Sequence, residues 1–514
     1  MRIKSLLLLL ALMGSVISGY SQSYDAALHR VPARKEIRHK LKPYQQEPSF
    51  TSASTRAQGE YIMSEFPTEG EIRGVVLLVA FQDVDFCMSD DSIRALLQAR
   101  YDGDNYSEYI EHQEYSEVDG QVVGVRAQIP GSARDYFRDQ SMRKFTPRFD
   151  VIGPIVLDNP RSYYGKNTSS GSDKNPRAMI TEACRKAHER QLVDFANYDS
   201  DDDGIVDFVY VVYAGSDEAQ TGIEDCVWAH ASSISLPVGY LRVERYACSG
   251  ELFVDLNMPG GIGTFVHEFS HILGLPDFYD TKADDFTMDV WSVMDYGMYN
   301  RGGFVPCAYT AFERYSLGWL PMQTLDAPAT MSIGTTDEEL TGYRIFTADI
   351  DSTHQITEAD TASFYLIETI RKEGWNSYAY AEGLLISEVT YRASAWQNNT
   401  VNTATHRHCI VPANNRYHYD TPERALFGTF NHEFSLTSTP ASITQYGASM
   451  DKPLTDIRYD TTTGKTTFHF RGGSSIRGAI LNEEGRVRYD LSGRPIQAPY
   501  RGITIEEGKK YHHR

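Results

Sequence analysis

Thr264 to Asp280 read TFVHEFSHILGLPDFYD. Val266, Phe269 and Ile272 recur at the spacing of a helix's buried side. The pattern stops at Gly274, a residue that readily ends helices. On such a helix His267 and His271, four positions apart, share one face at about 6 Å. Two imidazoles so placed can hold one zinc ion, with Glu268 beside them as general base. Gly274 lets the chain turn sharply and return a side chain, and Asp277 is the first liganding residue after it. Two neutral imidazoles and one carboxylate leave a fourth position for water, which is how a catalytic zinc site is built. Asp280, Asp284, Asp285 and Asp289 also follow the helix, with Tyr279 near, and offer other choices of third ligand. The spacing fits Asp277 best.

A second stretch, Trp291 to Gly297, reads WSVMDYG. Here the sequence resembles the metzincin metalloproteases, in which a turn carrying a methionine passes beneath the zinc. The resemblance implies that Met294 is that methionine. It also implies that Tyr296 lies near the metal, either stabilising an oxyanion or binding zinc at rest and swinging away. Three further segments narrow the family: SLGWL at Ser316 to Leu320, DSDDDGIVDFVYVVYAG at Asp199 to Gly215, and SFYLIETIRKEGWNSYAYAEGLLISEV at Ser363 to Val389. Together they resemble the M6 family of secreted bacterial metalloproteases, the immune inhibitor A type, from about Glu71 to about Asn399. The resemblance implies an α+β chain with a metzincin-like mixed α/β zinc protease domain over residues 61–325.

The chain begins with Arg2 and Lys4, then an apolar run from Leu6 to Ile17. Residues 1–21 therefore read as a secretory signal peptide. The run is too short to span a bilayer, and no later stretch approaches the length of a spanning helix. Export permits the six cysteines to form up to three disulfides, in any of fifteen pairings. Residues 22–60 are basic and polar and read as a pro-segment or leader. They contain no cysteine, so latency through a thiolate on the metal is closed to them. The 514-residue length suggests two or three domains. A net charge of −20 without a basic cluster of nucleic-acid type argues against nucleic acid and anionic membranes and suits a calcium-binding exported protein.

Gly74 to Phe81 (GVVLLVAF) reads as a strand buried on both faces. Ile205 to Tyr213 reads as a second strand, and Ala178 to Leu192 between them as a helix. Alternating strands and helices point to a mixed α/β domain with the zinc helix packed on the sheet. Asp199, Asp201, Asp203 and Asp207, with Gly204 at the turn and the Ile205 carbonyl, have the spacing of a calcium loop. Tyr210 stands where an EF-hand has its bidentate glutamate, so this is no EF-hand. His230, in the segment WAH, reads as a loop histidine that is exposed or hydrogen-bonded.

After Pro321 short alternating stretches separated by turns suggest a β-sandwich over residues 326–472. Trp375 and Trp396 read as core residues there. Residues 473–514 resemble the short C-terminal β modules of exported Bacteroidetes proteins, some of which serve in sorting or surface attachment. The expected location is secreted or cell-surface.

These readings converge on a secreted zinc endopeptidase acting on proteins or peptides outside the cell. Glu268 takes a proton from water, the hydroxide attacks the scissile carbonyl, and Glu268 returns the proton to the leaving amine. The competing reading is a catalytically silent surface adhesin or glycan-binding protein on a metalloprotease fold. The intact Glu268 weighs against it, since a pure binder needs no general base. A zinc amidase or esterase would carry the same motif.

Overall fold

The apolar run after Arg73 forms β1 (Arg73–Ala80), and its alternate residues serve two cores. Val76, Leu78 and Ala80 face one apolar cluster, and Val75, Leu77 and Val79 face another. A strand covered on both faces belongs in a parallel sheet with helices on each side, and that is where it sits. In this computed structural model the described residues are 66–472, less 116–121, 254–257, 284, 348–361, 404–405 and 419–420, together with 502–506 and 509–513. The expected signal peptide (1–21) and pro-segment (22–60) lie outside them, as does most of 473–514.

A hairpin of β2 (Glu108–Tyr115) and β3 (Val122–Ile129) forms a sheet of its own. β1 pairs in parallel with β4 (Arg148–Val156) on one edge and β6 (Val209–Ser216) on the other. β6 runs parallel to β8 (Leu241–Leu252), which carries β7 (His230–Val238) antiparallel at the sheet's edge. The short β5 (Ile205–Val206) pairs with β8 just before β6 does. The single strand expected over Ile205 to Tyr213 is thus two, broken at Asp207 and Phe208. Asp207 turns its carboxylate back to accept from the Ser200 N–H and hydroxyl, 3.1 Å each. Phe208 swings across β1 at Gly74, where a Cβ would meet the ring at 1.9 Å.

The longer helices flanking this sheet are α1 (Asp90–Asp102), α2 (Ala133–Gln140), α3 (Pro176–Glu189) and α4 (Gly263–Ile272). The helix expected over Ala178 to Leu192 is α3. It starts earlier because Pro176 suits a first helical turn, and it ends at Glu189. α3 covers one face of the sheet with Met179, Ile180, Ala183, Cys184 and Ala187. α4 covers the other with Phe265, Val266, Phe269 and Ile272. The Phe269 ring lies 4.8 Å from Phe208, 5.0 Å from Phe137 and 5.2 Å from Phe149.

Beyond Leu320 the architecture changes. β9 (Met322–Thr324) runs parallel to β11 (Gly342–Phe346), which leads antiparallel into β12 (Ala362–Ile370), β13 (Gly383–Tyr391) and β14 (His408–Ile410). A three-stranded sheet of β10 (Ala329–Ile333), β16 (Lys465–Phe470) and β15 (Leu454–Asp460) faces it. Tyr365, Ile367, Leu384 and Ile386 meet Leu454, Ile457, Phe468 and Phe470 between the two. The alternate residues Phe364, Leu366, Leu385 and Val389 point the other way, into the cluster beneath α4. The change near residue 325 is therefore not a break in packing, because one core runs across it. Trp375 and Trp396, the latter on α5 (Ala393–Gln397), are buried in that core. β17 (Gly502–Glu506) and β18 (Lys509–His513) form a terminal hairpin. All six cysteines are free thiols, five of them buried, so none of the three possible disulfides forms. Among the described residues no helix is long and apolar enough to cross a membrane.

Candidate metal centre and active site

Gly274 ends α4 at φ +100°. Its N–H bonds the His271 carbonyl at 2.9 Å, and the Leu275 N–H bonds the Ser270 carbonyl at 3.0 Å. This pair of bonds is the Schellman arrangement, which a residue without a Cβ adopts most easily. The turn brings the Leu275 carbonyl 2.7 Å from Nδ1 of His271 and carries the chain on to Asp277. At the other end of the helix Gly263 has no room for a Cβ, which would meet the Met298 carbonyl at 1.9 Å. That close approach seats the turn around Met294 against α4.

The turn supplies the second imidazole's partner: the Val293 carbonyl lies 2.9 Å from Nδ1 of His267. In both rings Nδ1–H donates to the main chain, which leaves the Nε2 lone pairs aimed at one space. Asp277 Oδ1 lies 3.3 Å from His267 Nε2 and 3.2 Å from His271 Nε2. Asp277 Oδ1 and Glu268 Oε2 are buried and receive no N–H or O–H donor. Burying such oxygens is costly unless a cation faces them. Two imidazole nitrogens and a carboxylate oxygen, with orphaned acceptors beside them, fit a zinc ion.

The electrostatics agree. Burial pushes the Glu268 carboxyl up to about 7, against the pull of His267 and His271. Burial would lower the His271 imidazole, but the adjoining Asp277 carboxylate outweighs it and raises it to about 9. Burial would raise Asp277, and the two imidazoles hold it far below the usual carboxylate range instead. The cluster is arranged to hold positive charge.

Of the other acids after the helix, Asp280, Asp285 and Asp289 do not line the cavity over this cluster. Asp280 Oδ1 accepts from the N–H groups of Lys282 and Ala283 at 2.8 and 2.9 Å, and Oδ2 lies 3.1 Å from His406 Nε2. The Asp285 side chain is 70% exposed. Asp289 is buried, and its N–H bonds Asp295 Oδ2 at 2.7 Å. Asp284 lies outside the described residues.

Met294 is fully buried, and its carbonyl accepts the Phe278 N–H at 2.8 Å. The turn is held by Asp295, which accepts from the Thr287 hydroxyl at 2.7 Å and from the Tyr296 N–H at 2.8 Å. Tyr296 is buried with its ring 6.0 Å from Tyr299. Tyr299, not Tyr296, lines the cavity over the cluster, together with Tyr279, Thr264, Trp228, His230 and Asn399. His230 lines the cavity and is hydrogen-bonded as well, through Nδ1 to the Trp228 carbonyl at 2.7 Å and Nε2 to the Tyr246 hydroxyl at 2.9 Å. Burial lowers its imidazole to about 4, which keeps it neutral.

Asn399 is the residue that sequence reasoning missed. Its Oδ1 accepts the Asp277 N–H and its Nδ2 donates to Asp277 Oδ2, both at 2.6 Å. It lies 122 residues from its partner, and no local pattern marks it.

The acidic loop is a separate cluster. Carboxylate oxygens of Asp199, Asp201 and Asp203 lie within 4.8 Å of one another. Gly204 turns at φ +84°, and its N–H bonds Asp199 Oδ2 at 3.1 Å. Asp207 stands outside this trio, bonded to Ser200.

Comparison with known proteins accords with this geometry. Residues 67–323, half of the chain, match the family model described as immune inhibitor A peptidase M6, catalytic domain. Over 215 residues the chain is 24% identical to the pre-pro-metalloprotease PrtV of Vibrio cholerae serotype O1, an alignment taking in 36% of this chain and 23% of that protein. Over 196 residues it is 26% identical to immune inhibitor A of Bacillus thuringiensis subsp. alesti, covering 32% of this chain and 28% of the relative. The chain thus spans about a quarter of the length of the curated relatives it matches. The family match takes in the metal cluster, the helix that carries it and the turn beneath, and on that ground this chain belongs to the immune inhibitor A peptidase family, M6.

Proposed function

We propose that the chain is a zinc endopeptidase exported to act on proteins outside the cell. The observation that carries this reading is the convergence of His267 Nε2, His271 Nε2 and Asp277 Oδ1 in a buried cavity that Glu268 shares. His267 and His271 would hold zinc through Nε2 and Asp277 through Oδ1. Held there, zinc would supply Lewis acidity for the scissile carbonyl and for a water. Glu268 takes the water's proton and then delivers it to the leaving amine. A cavity tyrosine, Tyr299 or Tyr279, is better placed than Tyr296 to donate to the oxyanion. β7 begins at the cavity, with its first residue, His230, in the lining.

Purified protein, freed of residues before about Gly59, should cleave casein. Activity should disappear with 1,10-phenanthroline and return with added zinc. No cleavage under these conditions would turn the reading towards the silent binding protein.

The acidic loop we assign to calcium, held by Asp199, Asp201 and Asp203 with the Ile205 carbonyl; Asp207, expected in the same set, is instead bonded to Ser200. Three clustered carboxylates repel one another unless a cation sits among them. Calcium at about 100 times its Kd should stabilise the protein by about 2.7 kcal/mol, read as a rise in Tm. Asp201→Ala should remove most of that rise. A Tm indifferent to calcium would end the assignment.

A further inference from the structure

We infer that Asn399 is a positioning residue for the third metal ligand, so that the site is completed by the part of the chain outside the M6 match. The inference rests on the metal-site reading above.

Each of the three groups facing the site has an outer partner, and Asp277 also has the Tyr279 hydroxyl as a neighbour. For His267 it is the Val293 carbonyl and for His271 the Leu275 carbonyl, both within the matched residues 67–323. For Asp277 it is the side-chain amide of Asn399, which follows α5. The amide is used on both edges, and its orientation is fixed by what it meets. Its oxygen takes the Asp277 N–H, and its NH₂ must then face the carboxylate. With Oδ2 of Asp277 occupied, Oδ1 is the oxygen left to face the two Nε2 atoms. A neutral donor does this without adding charge beside a site that needs its negative charge for the metal.

Asn399 is itself held firmly. Its backbone is in the left-handed region, φ +52°, which asparagine and glycine tolerate and most residues resist. The Thr400 N–H closes back on the Ala395 carbonyl at 2.8 Å, and the neighbouring Trp396 is buried. The residues after it grip the same loop. Asn402 Nδ2 donates to the Phe278 carbonyl at 2.6 Å, the Thr403 and Thr281 hydroxyls bond each other, and His406 meets Asp280. His408 packs its ring 4.5 Å from Phe278. Among these residues Asn399 alone reaches the carboxylate of Asp277.

An outer partner of a metal ligand contributes roughly 10–100-fold in metal affinity. The test measures the zinc Kd of the full chain, by competition between metal-free protein and a chromophoric chelator, beside the Tm of the metal-free protein. Asn399→Gly keeps the left-handed backbone accessible and removes only the amide. It should weaken zinc about 10–100-fold with the metal-free Tm close to wild type. Asn399→Asp sets a second carboxylate against Asp277 and should weaken zinc further. His406→Ala loosens the same segment without touching Asp277 and should leave the zinc Kd unchanged. Zinc bound as tightly by Asn399→Gly as by wild type would overturn the inference. So would equal weakening by His406→Ala, since the effect would then belong to the whole segment. Wild type that binds no zinc would overturn the metal-site reading itself, and this inference with it.

Discussion

Glu268→Gln is expected to lower casein hydrolysis by about 10²–10⁴-fold, the usual contribution of a positioned acid–base group, while zinc stays bound. The substitution keeps the side chain's size in a site where Glu268 is 5% exposed, so packing around α4 is preserved. What is lost is the ability to accept a proton. An amide has no pKa that can serve near neutrality, whereas burial has brought this carboxyl up to about 7. The three proposed ligands are untouched, so zinc content measured by atomic absorption should remain near one per chain. A variant retaining a tenth of the wild-type rate would show that another group moves the proton. Loss of zinc along with activity would place Glu268 among the ligands instead.

Phe269→Ala is expected to cost about 3–5 kcal/mol of folding stability, the range for removing a large buried aromatic. Phe269 is fully buried. It lies two positions from each histidine, on the side of α4 turned away from the metal. Its ring sits among Phe208, Phe137 and Phe149, at 4.8, 5.0 and 5.2 Å. These rings come from three segments, including the residue at the break between β5 and β6, and no one of them can collapse into the gap without dragging its own backbone. Urea denaturation of wild type and variant reads the difference directly. Phe269→Leu, which fills much of the space, should cost clearly less. A loss below about 1 kcal/mol for the alanine variant would mean that the site can relax, contrary to the usual behaviour of close-packed cores.

What the sequence reveals about this site divides by distance along the chain. His267, Glu268 and His271 are legible because four-residue spacing is a property of the helix itself. Asp277 is legible because a glycine-ended helix turns in a predictable way, and Gly274 turns in that way here. The strand at Arg73–Ala80 is legible because the run after Arg73 is apolar and leaves neither face exposed. The break at Asp207 and Phe208 is not, because it depends on a side chain competing with the sheet for hydrogen bonds. Nor does the motif tell which tyrosine of the Tyr296–Tyr299 turn reaches the cavity, since that follows from how the turn seats on Gly263. The second half offered a clue that the pattern alone left open. Phe364 and Leu366 alternate with Tyr365 and Ile367, so β12 had to be covered on both faces. Only the structure shows that one cover is the core beneath the metal helix. Asn399 had no local signature at all.

The contact between Asp277 and Asn399 also has a meaning in time. A chain is made from its N-terminus at about 5–20 residues per second, and these partners are separated by 122 residues. For roughly 6–24 seconds after Asp277 has been added, the asparagine that steadies it has not yet been made. The histidines and their helix exist throughout that interval, and so do the main-chain carbonyls that orient them. Throughout that interval the third ligand of the proposed metal site lacks the side-chain partner that orients it.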